Sequence, residues 1–136
     1  MTVLFIDDDP EDTELYCEAV SYLSKSDFLA DKKEKIQCLA LNHSTKAIDF
    51  LSNLKELPDY VFLDINMPGI GGEECLRTLK SHQQFAQIPI IMFSTVCEDH
   101  HVRKFLQLGA HDCIQKPVGF NELVKVFSKY IFQKYL

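Results

Sequence analysis

The segment Tyr60-Val61-Phe62-Leu63-Asp64-Ile65-Asn66-Met67-Pro68-Gly69-Ile70-Gly71-Gly72 carries the clearest structural signal in this chain. Four apolar or aromatic residues run directly into the carboxylate of Asp64, and turn-forming proline and glycine residues follow. A short apolar run bounded by turn residues is typical of a strand that is buried on both faces. In open parallel α/β sheets, ligands bind beyond the carboxyl ends of the strands. The pattern therefore places Asp64 where such a sheet carries out its chemistry.

A second stretch has the same design, because the apolar run Val3–Ile6 ends in Asp7, Asp8 and Asp9. Charged side chains are rarely buried without a partner, so acids that directly follow core strands need an explanation. For one acid the explanation is ordinary, since Asp9 can cap the next helix. Two strands that both end in acids favour an acidic metal pocket, because adjacent carboxylates repel one another and a divalent cation relieves the repulsion.

Length and composition indicate one globular domain over residues 1–136, with 46% hydrophobic and 25% charged residues. The formal charge of -6 argues against direct nucleic-acid binding. There is no signal peptide and no apolar run near the ~20 residues of a membrane helix, so we expect a cytoplasmic protein without membrane contact. The five cysteines are odd in number and widely spaced, which predicts buried free thiols rather than a disulfide framework or a zinc site.

Five strands alternate with five helices along the sequence. The predicted strands are Val3–Asp7, Ile36–Leu41, the run that ends at Asp64, Pro89–Phe93 and Asp112–Gln115. The predicted helices start at about Asp9, Ser44, Gly72, Glu98 and Phe120 and end at about Lys25, Leu54, His82, Leu108 and Ile131. The polar segment between Ser26 and Lys35 is either a long loop or an extension of the first helix. This alternation predicts an α/β fold with a parallel sheet and helices on both faces.

The strand ends converge on one edge of such a sheet, so Asp64 shares its pocket with other polar side chains. A carboxylate there can be a metal ligand, a general base or a nucleophile, and its companions favour the nucleophile. Phosphoryl transfer needs positioning and charge neutralisation, which Mg²⁺ on one side and a lysine on the other would supply. The predicted set is Mg²⁺ held by Asp7, Asp8, Asp64 and the Asn66 backbone carbonyl, with Lys116 opposite and the Ser94 hydroxyl as a donor.

In four motifs taken together, the chain resembles a response-regulator receiver domain: Asp7-Asp8 after a strand, Asp64 to Pro68, Ser94 after the fourth strand, and Lys116-Pro117. The resemblance implies a flavodoxin-like, doubly wound five-stranded sheet of order 2-1-3-4-5. It also implies a two-component signalling switch in which Asp64 accepts a phosphoryl group, with Mg²⁺, from a sensor histidine kinase or a histidine phosphotransfer protein. The only catalysis implied is the domain's own phosphorylation and dephosphorylation. No output domain fits in 136 residues, so the likeness is to single-domain receivers, including those paired with phytochrome-type kinases.

Two positions depart from the family pattern that this resemblance implies. After the hydroxyl of Ser94 the family usually has a small residue, and here Thr95 follows; three residues before Lys116 it usually has an aromatic, and here Cys113 stands. We expect the chemistry to survive and the hydroxyl–aromatic switch of Ser94, Thr95 and Cys113 to be altered. The family's output or homodimer face, made by the fourth helix, fifth strand and fifth helix, would include Tyr130 and Phe132.

Other functions fit the sequence less well. A haloacid-dehalogenase phosphatase would use the D-x-D of Asp7 and Asp9, but that family has Thr or Val where Glu11 stands and usually a longer chain. No glycine-rich phosphate loop supports a flavin or nucleotide site. An inert interaction domain would have no use for clustered acids opposite a lysine. His100 and His101 are adjacent on a helix and point in different directions, so a solvated helix start is favoured over a metal pair.

Overall fold

The apolar runs of the sequence form five short strands in the computed structural model, which describes residues 1–67 and 69–134. The strands are β1 (Thr2–Ile6), β2 (Gln37–Leu41), β3 (Tyr60–Asp64), β4 (Ile90–Ser94) and β5 (Asp112–Gln115). All neighbouring strands pair in parallel, in the order β2-β1-β3-β4-β5. The predicted doubly wound sheet and its strand order are confirmed. Pro68, part of the predicted turn after Asp64, lies outside the described residues.

Six α-helices connect the strands within the described residues. They are α1 (Pro10–Ser24), α2 (Asp27–Asp31), α3 (Ala47–Ser52), α4 (Gly72–Ser81), α5 (Asp99–Gln107) and α6 (Phe120–Gln133). The predicted second helix begins with a 3-10 turn, Ser44–Lys46, and ends two residues earlier than expected. Because α2 is an additional helix, the predicted fourth and fifth helices correspond to α5 and α6.

The segment between Ser26 and Lys35, which the sequence leaves open, contains the short helix α2. Ser26 caps it, since its hydroxyl oxygen accepts a hydrogen bond from the Leu29 amide at 3.4 Å. Leu29 is fully buried and belongs to the core beneath α1. One buried leucine therefore anchors a segment that is otherwise mostly polar, apart from Phe28 and Ala30.

The sheet is covered on both faces, as its strand composition predicts. Alternate residues of β1 face opposite cores: Leu4 and Ile6 pack into one, and Val3 and Phe5 into the other. The first core also contains buried residues of α3, α4 and α5, and the second contains those of α1 and α6. The two cores therefore pack on opposite faces of the same sheet, and this packing positions its carboxyl edge.

The prediction that all cysteines are free thiols is wrong. Cys17 on α1 and Cys38 on β2 form a disulfide, with a Cα–Cα distance of 5.7 Å. The right-handed crossover lays α1 against β2, so residues 21 apart in sequence meet in space, a proximity that spacing alone does not reveal. Of the three free cysteines, Cys75 and Cys113 are buried and Cys97 is exposed.

The expected partner-facing role of Tyr130 is also contradicted, whereas the role of Phe132 stays a prediction. Tyr130 is 2% exposed, and its hydroxyl donates to Asp112 Oδ2 at 2.7 Å. Phe132 is half-buried, and its ring packs against Phe28 at 5.2 Å between centroids. The additional helix α2 brings Phe28 to this end of α6, which the sequence pattern did not show.

No helix among the described residues is both long and apolar enough to cross a membrane.

Candidate functional site

Three carboxylates meet where β1 and β3 end side by side. Asp7 and Asp64 are buried, with 2% and 5% of their surface exposed, whereas Asp8 is exposed. One oxygen from each of the three carboxylates lies within 4.8 Å of the others. The structure thus brings together the three acids that the sequence assigns to a metal pocket.

Asp7 is held by contacts from three directions. Its Oδ1 accepts a hydrogen bond from the Asp9 amide at 3.0 Å, and its Oδ2 accepts from the Tyr16 hydroxyl at 3.2 Å. Its backbone carbonyl accepts from Asn42 Nδ2 at 2.8 Å, which ties the end of β2 to the end of β1. These contacts fix the Asp7 carboxylate before any ligand is present.

Lys116 lies against Asp7 and Asp12, and these are its ion pairs among the described residues. Its Nζ is 3.1 Å from Asp7 Oδ2 and 2.8 Å from Asp12 Oδ2. Burial opposes the positive charge, but the hydrogen bond to Asp12 and the nearby Tyr16, Asp7 and Asp64 raise the pKa of Lys116 above its ordinary value. The lysine therefore enters the predicted pocket as a permanent cation, through Asp7 rather than by direct contact with Asp64.

Sequence reasoning missed Asp12 and Tyr16, which both contribute to this network from α1. Neither residue is among those that the sequence pattern assigned to the site. The two residues are four positions apart, so they share one face of α1, and that spacing was the available signal. Burial, and next the charge of Asp7, raise the pKa of Tyr16 far above 10.0, so its hydroxyl remains a donor to Asp7.

The surroundings of Asp64 destabilise its negative charge. Burial, and next the neighbouring charge of Asp7, raise its pKa from 3.8 to about 6. Lys116 and a hydrogen bond from the Asn66 backbone amide act in the opposite direction but do not cancel the rise. Two buried carboxylates that repel one another are what a hard divalent cation would stabilise.

The donor set fits such a cation. Carboxylate oxygens are the ligands that Mg²⁺ prefers, and the cation keeps several waters in sites of this kind. Both Asp7 oxygens already accept hydrogen bonds, whereas Asp8 is exposed and still has one oxygen within 4.8 Å of the Asp7 and Asp64 oxygens. Asp8 and Asp64 are therefore the freer ligands, and Asp7 can act directly or through water.

Gly72 allows the start of α4 to pack closely against the backbone at the end of β3, where Asp64 lies. A Cβ at this position would clash with the Asp64 carbonyl oxygen and would lie 2.6 Å from Ile65 Cα. The Gly72 amide also donates to the Ile65 carbonyl at 2.9 Å. The sequence indicated only a turn and a helix start here, because a close backbone approach leaves no signal except the glycine itself.

The other side of the edge carries Ser94, Thr95 and Cys113. The buried Ser94 hydroxyl donates to the Val96 carbonyl at 2.5 Å and accepts from the Val96 amide at 3.2 Å. Thr95 Oγ1 accepts from Asn66 Nδ2 at 3.3 Å, and Cys113 is 4% exposed. Ser94 is thus satisfied within its own loop, and it must give up the contact with Val96 before it can bind another group.

His100 and His101 do not point apart as the sequence predicts, since their ring centroids are 4.2 Å apart. With Glu98 they offer three ligand atoms within 4.8 Å of one another at the start of α5. Glu98 and His100 are exposed, with more than 60% of each side chain in solvent. Glu98 and His100 are therefore solvated as expected, whereas His101 is half-buried and its Nδ1 has no hydrogen-bond partner among the described residues.

Residues 3–128 match the family described as the response regulator receiver domain. Hybrid signal transduction histidine kinase D of Dictyostelium discoideum is 30% identical over 90% of this chain and 7% of its own length. The phosphorylated cyanobacterial phytochrome response regulator RcpA has a TM-score of 0.78 at 20% identity and covers 96% of this chain and 91% of that one. The Mn²⁺-bound response regulator Rcp1 has a TM-score of 0.75 at 20% identity and covers 96% and 94%.

This chain belongs to the response regulator receiver domain family, whose members serve two-component signalling. It spans about half or less of the length of the curated relatives that it matches. The two solved structures, at 20% identity, support the fold alone.

Proposed function

We propose that residues 1–136 form one receiver domain that accepts a phosphoryl group on Asp64 and passes the signal on through protein contacts. The donor is the phosphohistidine of a sensor histidine kinase or a histidine phosphotransfer protein. One observation carries the proposal: an oxygen of the buried Asp64 carboxylate lies within 4.8 Å of oxygens of Asp7 and Asp8, and Lys116 forms an ion pair with Asp7. No other enzymatic activity is proposed for the chain.

In this proposal the acids act together on the incoming phosphoryl group. Asp8, Asp64, Asp7 and the Asn66 backbone carbonyl would hold Mg²⁺, which when bound neutralises charge on the phosphoryl oxygens. An Asp64 oxygen forms the new bond to phosphorus while the bond from phosphorus to the histidine nitrogen breaks. With a pKa of about 6, Asp64 is mostly ionised at neutral pH and is therefore available as the nucleophile.

Lys116 and Ser94 would stabilise the product. The Lys116 ammonium sits beside Asp7 and can turn toward a phosphoryl group on Asp64, since its charge is a mobile point charge on a flexible stem. The Lys116 amide donates a hydrogen bond to the Ser94 carbonyl at 2.7 Å, so the two residues are direct neighbours at the carboxyl edge of the sheet. Ser94 would exchange its bond to Val96 for one to a phosphoryl oxygen.

The comparisons support this proposal by analogy. One relative is a hybrid histidine kinase, and the two structural neighbours are response regulators, one phosphorylated and the other bound to Mn²⁺. A protein of the same fold is therefore known with a bound divalent cation. We propose Mg²⁺ for this chain because its three clustered carboxylates are the ligands that this cation prefers.

For the output we propose the face made by α5, β5 and α6, binding a downstream protein or a second copy of the chain. With Tyr130 buried, the exposed apolar side chains of this region are Leu106 on α5 and Val118 before α6, which are 44% and 87% exposed. A cytoplasmic location remains a prediction from the sequence. The Cys17–Cys38 disulfide is the observation that speaks against a fully reducing compartment.

Incubation with Mg²⁺ and acetyl phosphate, followed by intact-mass analysis, tests the proposal. Wild type should gain one phosphoryl mass, and Asp64→Asn and wild type in a metal chelator should gain none. Asp9→Asn is the matched control, because Asp9 caps α1 and accepts from the Glu11 amide at 2.9 Å, so it should label as wild type does. Equal labelling of Asp64→Asn and wild type would refute the assignment.

A further inference from the structure

Two free cysteines meet beside the loop that follows Ser94. Cys97 is exposed in that loop, and Cys113 is buried on β5 in the core that contains Met92 and Phe105. The Cys97 thiol donates to the Cys113 backbone carbonyl, with Sγ 3.6 Å from the oxygen. A loop and a strand that are 16 residues apart in sequence are thus joined by a thiol contact.

The surroundings of the free cysteines decide which of them an oxidant reaches first. Burial raises the pKa of Cys113 to about 11, and the adjacent Cys97 thiol adds to the rise. The third free cysteine, Cys75, is buried on α4, and burial is the cause that raises its pKa to about 11. Because thiols react as thiolates and need access to solvent, Cys97 is the one of the three that a soluble oxidant reaches first.

We infer that Cys97 and Cys113 form a reversible disulfide when the protein meets a hydroperoxide, and that this bond fastens the loop after β4 to β5. The Cys97 thiolate attacks a peroxide oxygen, so the O–O bond breaks and Cys97 becomes a sulfenic acid. The Cys113 thiol then attacks the Cys97 sulfur, the S–S bond forms and water leaves. The two sulfurs together give up two electrons, which the peroxide takes up, and a thiol reductant reverses the bond.

The position of the pair gives the bond a consequence for signalling, and this half of the inference rests on the proposed function. Ser94 is three residues before Cys97, and its hydroxyl is bound to Val96, between the two. Residues 95–97 would have to rearrange for Ser94 to leave Val96 and bind a phosphoryl group. A disulfide from Cys97 to β5 removes that freedom without touching Asp7, Asp8 or Asp64. Oxidation would therefore still let Asp64 accept a phosphoryl group, without the stabilising contact from Ser94, and would block the readout of that phosphorylation.

Peptide mapping under non-reducing conditions tests the bond itself. The intact chain is treated with hydrogen peroxide, free thiols are alkylated, and the protein is digested with trypsin, which separates the two cysteines at Arg103 and Lys104. We expect a linked pair of peptides that contain Cys97 and Cys113, lighter than their sum by two hydrogens, and the loss of both thiols from alkylation. Cys75→Ser should give the same linked pair, and Cys97→Ser and Cys113→Ser should give none. Alkylation of both cysteines in treated wild type, or linkage of Cys97 to a different cysteine, would overturn the inference.

Amide exchange of residues 95–98 with Mg²⁺ and beryllium fluoride, a phosphoryl mimic, tests the consequence. Reduced wild type should change its exchange there, and oxidised wild type should not. Cys97→Ser, treated with peroxide in the same way, should still respond. An oxidised protein that contains the linked peptides and responds as fully as the reduced one would overturn the locking claim. If reduced wild type incorporates no phosphoryl group on Asp64, the proposed function and the locking claim fail together, whereas the linked peptides still decide whether the disulfide forms.

Discussion

The two sides of the functional edge are built differently. The acidic side, made of Asp7, Asp8 and Asp64, is fastened by residues from α1, β2 and the end of β5. On the hydroxyl side, made of Ser94, Thr95 and Cys113, Thr95 accepts a hydrogen bond from Asn66, but the Ser94 hydroxyl, which has to move, is bonded to a residue two positions away. Contacts between distant elements hold a site rigid before a ligand binds, whereas a contact within one loop can be exchanged at a small cost in free energy. The comparison indicates that chemistry is preorganised on one side and that movement is available on the other.

The largest expected effect comes from removing the positive charge of Lys116, which supports the acidic side. Lys116→Ala leaves Asp7 buried without its ion pair, which should lower the free energy of unfolding by about 3 kcal/mol. Urea titration in a metal chelator measures the loss, and added Mg²⁺ should restore part of it by supplying another positive charge. Lys134→Ala is the control, because its pair with Asp59 is exposed on both partners, and it should change the free energy of unfolding by less than about 1 kcal/mol. Equal losses in the two variants would mean that Lys116 has no special role.

Removing the destabilised negative charge of Asp64 should raise the free energy of unfolding, in contrast to removing the positive charge of Lys116. The folded chain holds the proton of Asp64 up to about pH 6, whereas the unfolded chain releases it near its ordinary value of 3.8. Stability of the metal-free wild type should therefore fall as the pH rises from 4 to 6 and stay low above, by about 3 kcal/mol in total. Asp64→Asn should be more stable than wild type at pH 7 in a metal chelator, and this gap should close toward pH 4. A gap that does not depend on pH would show that Asp64 is not the strained group.

The backbone beneath Asp64 offers a third test. Gly72→Ala places a methyl group against the Asp64 carbonyl and Ile65, where backbone must shift. We expect a loss of about 1–3 kcal/mol in the free energy of unfolding, as for overpacked sites, together with weaker Mg²⁺ binding. Gly71→Ala is the matched control, since its nearest contact would be an ordinary 3.6 Å. If the two alanine variants behave alike in urea and in Mg²⁺ titration, the close approach at Gly72 does not position the site.

The smallest of the four effects separates two neighbouring acids. Asp8→Ala should weaken Mg²⁺ binding by about tenfold or more, because it removes a direct ligand of the cation, whereas Asp9→Ala removes a helix cap and should change affinity little. Calorimetric titration of both variants at pH 7.5 decides between them. Equal losses of affinity would mean that the acidic cluster is assigned to the wrong residues.

The sequence revealed the parts of the site that strands deliver to one edge. An acid after an apolar run is visible in the sequence, so Asp7, Asp64, Ser94 and Lys116 could all be located, and so could the order of the elements. What brings Asp12 to Lys116, or Cys17 to Cys38, is the packing of α1 on the sheet, and no local pattern records it. Tyr130 was placed on the surface for the same reason, since its partner Asp112 lies on a different element.

Amide hydrogen exchange across the whole chain, with and without Mg²⁺ and beryllium fluoride, tests whether the acidic side binds the ligands while the hydroxyl side changes its conformation. A ligand shifts an equilibrium only by what it gains differentially in the two states, and small Cys113 offers less burial than the ~1.5–3 kcal/mol of a large apolar side chain. We predict slower exchange at the ends of β1 and β3, a changed pattern from Ser94 to Asp99, and little change on β5. Asp64→Asn should show none of these changes. Large changes centred on Cys113 and β5, with Ser94 to Asp99 unaltered, would contradict the account.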